Sequence, residues 1–173
     1  MANRVTEIKP DTPVPTTHPY AVGELVLDAV PEDERLWVPM VEGVWFRPLM
    51  FNTTQGGWCH LIRVRKAGVV SRHRHPDPVH GLVLKGAWRY LEHDWVATEG
   101  TYIFEPPSET HTLVVDEDVA EMITFFQVTG SLHYVDEAGK AVGFDDVFTR
   151  IDLARVHYEE VGLGADYVSN FVR

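Results

Sequence analysis

Short runs of branched and aromatic residues alternate with turn-forming residues along most of the chain after Gly23. Runs of this kind are typical of β-strands, and many short strands at close spacing favour a sandwich or barrel over alternating strands and helices. The predicted strands are Glu24–Ala29, Val44–Phe51, Trp58–Val64, Gly81–Leu91, Thr101–Phe104, His111–Val115, Glu121–Val128 and Leu132–Val135.

The two ends of the chain depart from the strand pattern. Closely spaced prolines in residues 1–20 predict an extended arm, which either crosses onto a neighbouring subunit or is a disordered tail. Near the other end, Asp145 or Asp146 suits an N-cap, and apolar residues at helical spacing predict an amphipathic helix over Asp146–Val161. We therefore expect one all-β domain with an N-terminal arm (1–20), a β-barrel (21–144), and a C-terminal helix and tail (145–173).

Composition narrows the classes of partner and the cellular setting. A net charge of −11 disfavours nucleic acid, whose phosphates would be repelled. No apolar run approaches the roughly 18–20 residues that span a bilayer. A single cysteine, Cys59, excludes an intramolecular disulfide and suits a reducing compartment. We therefore expect a cytoplasmic protein that contacts neither nucleic acid nor membrane and binds a small molecule or another protein.

The arrangement of the histidines predicts a metal site. His73 and His75 are two residues apart, so on a strand their side chains share one face. Two imidazoles on one face can supply two nitrogen ligands to a single metal ion, and a third ligand must then come from a neighbouring strand. His111 opens another β run and is the candidate for that third ligand.

The segment around the first two histidines resembles the first motif of the cupins. Gly68, the His73-x-His75 pair, His80 and Gly86 stand where that motif has a glycine, H-x-H, a glutamate and a glycine. The first and last gaps are each one residue short. His80 therefore takes the place in which cupins usually have a metal-binding glutamate.

A later segment resembles the second cupin motif. Gly100, Pro106 and His111 match its glycine, proline and histidine with the correct internal spacing, whereas Ser108 and Val115 replace a glycine and an asparagine. The resemblance covers roughly residues 57–128. It implies a cupin-type β-barrel or jelly roll in which His73, His75 and His111 hold the metal.

With a histidine in place of the glutamate, the chain resembles the three-histidine cupin dioxygenases. Without a carboxylate, three neutral imidazoles leave the full double charge on the ion, which favours an anionic, oxygen-chelating substrate. Within the cupins, the chain most resembles the 2,4′-dihydroxyacetophenone dioxygenases. That resemblance implies Fe(II) and O₂, cleavage of an aryl α-hydroxyketone to 4-hydroxybenzoate and formate, and a homo-oligomer.

Several alternatives stay open from the sequence. Zinc, nickel or copper would also suit three imidazoles. A metal-binding regulatory cupin of the zinc anti-sigma type is a second functional class, and a cupin dioxygenase acting on a β-diketone or a flavonol is a third. Such regulators carry an additional helical domain, and they tend to keep the motif glutamate that His80 replaces here.

Three further residues are candidates for the site. His80 is interpreted as a fourth ligand, a hydrogen-bond donor or a pocket residue that takes the substrate's hydroxyl proton. Glu105 is either a base or a group that orients a ligand, or else a solvated loop carboxylate. An inward-pointing His80 would send every second residue inward as well, so that Tyr90 either lines the pocket or packs in the core. The other residues that this alternation would direct inward are Leu82, Leu84 and Trp88.

Overall fold

Antiparallel pairing of twelve strands builds two sheets in the computed structural model, which describes residues 18–173. These strands account for most of the regular structure in the described part of the chain. They are β1 Val38–Val41, β2 Val44–Asn52, β3 Gly57–Val64, β4 Gly68–Arg74, β5 Val79–Lys85, β6 Ala87–Tyr90, β7 Ala97–Thr98, β8 Tyr102–Glu105, β9 Thr110–Val115, β10 Met122–Val128, β11 Ser131–Val135 and β12 Ala141–Asp146.

The two sheets enclose a shared core. The first has the strand order β1-β2-β3-β10-β5-β8, and the second has the order β12-β11-β4-β9-β6-β7. Buried side chains from both sheets, such as Phe46 and Trp58 of the first and Trp88 and Leu113 of the second, belong to one hydrophobic cluster. Burying the inner faces of two antiparallel sheets against each other is the jelly-roll solution, and the predicted all-β cupin-type fold is confirmed.

A turn at Gly86 divides the predicted strand Gly81–Leu91 into β5 and β6. Gly86 has a φ of +72°, in the left-handed region that favours glycine, and a Cβ at this position would collide with the carbonyl oxygen of Glu121. The turn restarts the inward–outward alternation. Val83 is buried in β5, whereas Trp88 is buried in β6.

Other differences from the sequence prediction concern the edge strands β1, β7 and β12, the inner strand β4, and the segment before the first sheet. Residues 24–29 form no strand and pair with neither sheet. Val26 of this segment is 89% exposed. Strands β1, β4, β7 and β12 were not predicted, because they are short or rich in polar and small residues. Most of the predicted N-terminal arm lies outside the described residues.

The predicted C-terminal helix is confirmed as α1, Val147–Glu160. Asp146 caps it by accepting hydrogen bonds from the backbone N–H groups of Phe148 and Thr149. Its buried face carries the cationic side chain of Arg150 among apolar residues. Two 3-10 helices, Glu34–Leu36 and Ala165–Phe171, complete the elements. Within residues 18–173, no helix is long and apolar enough to cross a membrane.

Candidate metal centre

The pairing of β4 with β9 brings two histidines together on the inner face of the second sheet. His73 and His111 are direct cross-strand partners, and their ring centroids are 4.9 Å apart. His75 follows directly after β4, with its ring centroid 5.2 Å from that of His111 and 6.1 Å from that of His73. All three side chains are buried. The histidines selected from the motif spacing therefore lie in one cluster.

A carboxylate and a phenol complete this cluster. Glu105, the last residue of β8, is 3% exposed, and its Oε2 lies 3.2 Å from His75 Nε2 and 3.5 Å from His111 Nε2. Its other oxygen, Oε1, accepts a 2.7 Å hydrogen bond from the Tyr90 hydroxyl. The Tyr90 ring stacks on His111 at 4.0 Å with an interplanar angle of 2°. Glu105 and Tyr90 thus both contact the histidine cluster.

The presence of Glu105 corrects the expectation of a site made of imidazoles alone. Ligand atoms of His73, Glu105 and His111 all lie within 4.8 Å of one another. Ligands about 2.1 Å from one ion are about 3–3.5 Å apart, which matches the Glu105 contacts with His75 and His111. The buried His–Glu–His cluster can therefore hold a metal ion, and Glu105 would cancel one unit of the ion's charge.

Hydrogen-bond contacts engage Nδ1 of two of the histidines. His75 Nδ1 contacts the backbone carbonyl oxygen of Asp77 at 2.5 Å, and His73 Nδ1 lies 3.1 Å from Ser71 Oγ. Fixing one ring nitrogen in this way leaves the other available to a metal. His111 is fully buried, and neither of its nitrogens has a hydrogen-bond partner within residues 18–173.

Burial sets the protonation of these groups. It lowers the pKa of His73 well below its usual value, and the neighbouring His111 and His75 lower it further. Burial also lowers the pKa of His111, although Glu105 acts in the opposite direction. At His75, hydrogen bonds with Glu105 and Asp77 outweigh burial and raise the pKa. Two of the three imidazoles are therefore biased toward the neutral form that ligates metals.

The same buried environment keeps the Tyr90 hydroxyl protonated, so that it acts as a hydrogen-bond donor. Burial raises the pKa of the Tyr90 hydroxyl well above its usual value, and the charge of Glu105 raises it further. The hydroxyl stays protonated and donates to Glu105. Tyr90 therefore positions the carboxylate beside the histidines.

His80 lies on the outer face of the first sheet, and the expectation that it points inward is wrong. Its Nδ1 contacts the hydroxyl of Tyr102 at 2.7 Å on the exposed side of the β5–β8 ladder. Leu82 and Leu84, which share its face, are 38% and 36% exposed. Strand β5 buries Val79 and Val83 instead, because the strand register places the odd-numbered residues inward.

A cavity of about 390 Å³ extends from the cluster into the barrel. His73, Glu105 and Tyr90 line one part of it, and most of the remaining wall is apolar. Its volume falls within the roughly 300–1,000 Å³ typical of small-molecule sites. The apolar wall includes Ile62, Val79, Leu113, Phe126, Leu132 and Leu153.

A second polar group in this cavity was not predicted from the sequence. Tyr134, Asp145 and Arg150 also line the wall, and His60 lies nearby with its side chain 2% exposed. Arg150 is 1% exposed and forms a 2.7 Å ion pair with Asp145. The available signal in the sequence was the position of Arg150 on the buried face of the predicted amphipathic helix. A cationic side chain is rarely buried without a partner, so this position indicates a buried polar group.

The two-sheet barrel and its buried cluster define the protein as a cupin. The sequence model of the family described as "ChrR Cupin-like domain" matches residues 27–133, which is more than half of the chain. The chain belongs to that family. No match was found among curated proteins.

Solved structures with the same fold agree with this assignment. An RmlC-like cupin protein from Ralstonia eutropha JMP134 is 25% identical and superposes with a TM-score of 0.67, covering 78% of this chain and 89% of its own. The acetylacetone dioxygenase of Acinetobacter johnsonii is 17% identical and superposes with a TM-score of 0.64, covering 79% and 97%. The second likeness supports the fold alone.

Proposed function

We propose that this cupin is a non-haem Fe(II) dioxygenase that cleaves a C–C bond of an aryl α-hydroxyketone. On this proposal, 2,4′-dihydroxyacetophenone and O₂ give 4-hydroxybenzoate and formate in a cytoplasmic homo-oligomer. The observation that carries the proposal is a buried cluster of three histidines and Glu105 that opens into an apolar cavity of about 390 Å³. A structural or sensory metal needs no cavity of that size.

The residues present fit a metal ion. Both nitrogens of His111 lack a hydrogen-bond partner within the described chain although the side chain is fully buried. An unpaired buried nitrogen is costly, and a bound cation would satisfy Nε2. The donor set of imidazole nitrogens and one carboxylate is typical of non-haem iron and of zinc.

Each residue of the cluster has a distinct task in this proposal. His73, His75 and His111 would hold the ion, and Asp77 and Ser71 contact Nδ1 of His75 and His73 and keep those rings in place. When bound, Fe(II) supplies the redox chemistry that lets an organic substrate react with O₂. Glu105 would complete the ligand set through Oε2, while the Tyr90 hydroxyl donates to its other carboxylate oxygen. The apolar wall excludes water from the reacting atoms.

Oxygen consumption tests the proposal directly. Protein loaded anaerobically with Fe(II) receives 2,4′-dihydroxyacetophenone and then air, and O₂ uptake and formate are measured together. We expect about one O₂ consumed and one formate released per ketone, and none from zinc-loaded protein or from His111→Ala. Absence of uptake with this ketone and with related diketones would contradict the proposal.

A regulatory metal-binding cupin is the second candidate, because the matching family is described by the ChrR cupin-like domain. On that alternative, the purified protein retains zinc tightly and consumes no O₂ with any of these ketones. Metal analysis of the purified protein beside the uptake measurement separates the two functions.

A further inference from the structure

Building on the proposed function, we propose that Arg150, Asp145 and Tyr134 form a second recognition point in the cavity. It holds a neutral hydroxyl group carried on the aromatic ring of the substrate, while the ketone end lies at the metal cluster. Arg150 would then determine which aryl ketones the cavity accepts.

The geometry places a polar group inside an otherwise apolar wall. Arg150 Nη2 forms a 2.7 Å ion pair with Asp145 Oδ2 and donates a 3.2 Å hydrogen bond to the Tyr134 hydroxyl. The Tyr134 hydroxyl in turn donates to Asp145 Oδ2 at 2.6 Å. All three side chains line the same cavity as His73 and Glu105. The Tyr134 ring centroid is 6.4 Å from that of His73, so one small aromatic molecule can reach both groups.

Arg150 has unused hydrogen-bonding capacity. Its Nε is buried and has no partner within residues 18–173, and Nη1 has only the weak acceptor Met40 Sδ at 3.1 Å. The guanidinium is 1% exposed and lies 5.0 Å from the centre of the Phe46 ring. A buried donor left unpaired is costly, so an acceptor oxygen on a ligand in the cavity would be stabilised there.

The charge balance selects a hydroxyl over an anion. The positive charge of Arg150 is already compensated by Asp145, so the group as a whole is neutral. A ligand hydroxyl can accept a hydrogen bond from Arg150 and donate one to Asp145 at the same time. A ligand carboxylate would have no proton to donate and would be repelled by Asp145. The pair is therefore suited to a phenol.

A purely structural role for Arg150 makes a different prediction. Arg150 also joins helix α1 to β1 through Met40 and to the inner face through Phe46. If that were its only task, substitution would lower the stability of the fold but would weaken every ligand equally. Discrimination between ligands that differ only in the ring hydroxyl is thus the decisive readout.

Anaerobic calorimetry with Fe(II)-loaded protein measures this discrimination without turnover. The matched ligands are 2,4′-dihydroxyacetophenone and 2-hydroxyacetophenone, which lacks the ring hydroxyl, with the ring-carboxylate analogue as a third probe. We expect the wild type to bind the ring-hydroxylated ketone about tenfold more tightly than the unsubstituted one. The carboxylate analogue should bind no more tightly than the unsubstituted ketone.

Three variants separate recognition from folding. Arg150→Met should reduce the tenfold ratio to about one, and Tyr134→Phe should reduce it several-fold without removing the ion pair. Val156→Ala, which changes an exposed residue of the same helix without altering the cavity, should leave the ratio unchanged. If Arg150→Met does not fold, the ratio measured for Tyr134→Phe decides.

The outcomes distinguish this inference from the proposed function. A ratio near one in the wild type, an unchanged ratio in both Arg150→Met and Tyr134→Phe, or no binding of either ketone would overturn the recognition point. A ratio that depends on Arg150 in a protein that consumes no O₂ would support the recognition point and reject the dioxygenase. Oxygen uptake without any dependence on the ring hydroxyl would support the dioxygenase alone.

Discussion

Val79 and Glu105 are direct partners across the antiparallel β5–β8 ladder, and both side chains lie on the inner face of the barrel. Val79 is separated from His75 by three residues and from Gly86 by six. The last gap of the first cupin motif is one residue short when counted from His80 but complete when counted from Val79, so Val79, and not His80, occupies the position of the motif glutamate. Glu105 supplies a carboxylate from the neighbouring strand to the same part of the cavity.

This relationship predicts that Glu105 contributes to metal affinity. Glu105→Gln removes the charge that contacts His75 and His111, and we expect it to weaken Fe(II) binding about 10–100-fold. Competition with a chelating dye under argon measures the affinity. Glu109→Gln is the matched control, because Glu109 Oε1 lies 3.0 Å from Nε2 of the partly exposed His93, outside the histidine cluster.

The cross-strand geometry adds a rescue to the same experiment. Because Val79 faces Glu105, Val79→Glu in the Glu105→Gln background should restore part of the lost affinity. Wild-type affinity in Glu105→Gln itself would show that the carboxylate has no part in holding the metal.

Tyr90 should stabilise the metal-free protein through its hydroxyl. Tyr90→Phe keeps the stack on His111 but leaves Glu105 Oε1 buried without its donor. We expect the free energy of unfolding to fall by about 1–3 kcal/mol, as measured by urea denaturation. Tyr102→Phe removes a hydroxyl from an exposed pair with His80 and should change stability by less than about 0.5 kcal/mol. Equal effects of the two substitutions would argue against a buried role for the Tyr90 hydroxyl.

Buried neutral histidines should make the metal-free fold sensitive to acid. Burial, together with the charge of Arg150, holds the pKa of His60 well below its usual value. An unfolded histidine titrates near pH 6.5, so below that pH the unfolded state binds a proton that the folded state rejects. The free energy of unfolding should therefore fall as the pH decreases from about 7 to about 5.

A substitution at His60 tests the source of this dependence. His60→Asn keeps an acceptor for the indole N–H of Trp58 but cannot titrate. Urea denaturation of metal-free protein should show a shallower loss of stability with acid in the variant, with the remainder due to His73 and His111. An unchanged pH dependence would exclude His60 as a contributor.

Much of the fold and of the histidine cluster was predictable from local signals. Turn residues and apolar runs located most central strands, and Asp146 located the start of the helix within one residue. Motif spacing reflects strand register, and it therefore located His73 in β4, His75 directly after β4 and His111 in β9. The edge strands β1, β7 and β12 and the inner strand β4 were missed, since their short or partly polar sequences resemble loops.

The side of β5 that faces the cavity was not predicted correctly. A one-residue change of register turns every side chain of a strand to the opposite face of the sheet. Aligning His80, and not Val79, with the motif glutamate was such a change. The six-residue gap from Val79 to Gly86 was the signal that favours the observed register. Trp88 and Tyr90 do point inward, but because the turn at Gly86 restarts the alternation.

Metal binding by single-histidine variants tests the central claim most directly. After anaerobic loading and desalting, iron per chain is measured by mass spectrometry for the wild type and for alanine variants of His73, His75, His111 and His80. We expect about one iron per chain in the wild type and in His80→Ala, and less than about a tenth of that in the other three. Stoichiometric iron in His73→Ala or His111→Ala, or loss of iron in His80→Ala, would contradict the site described.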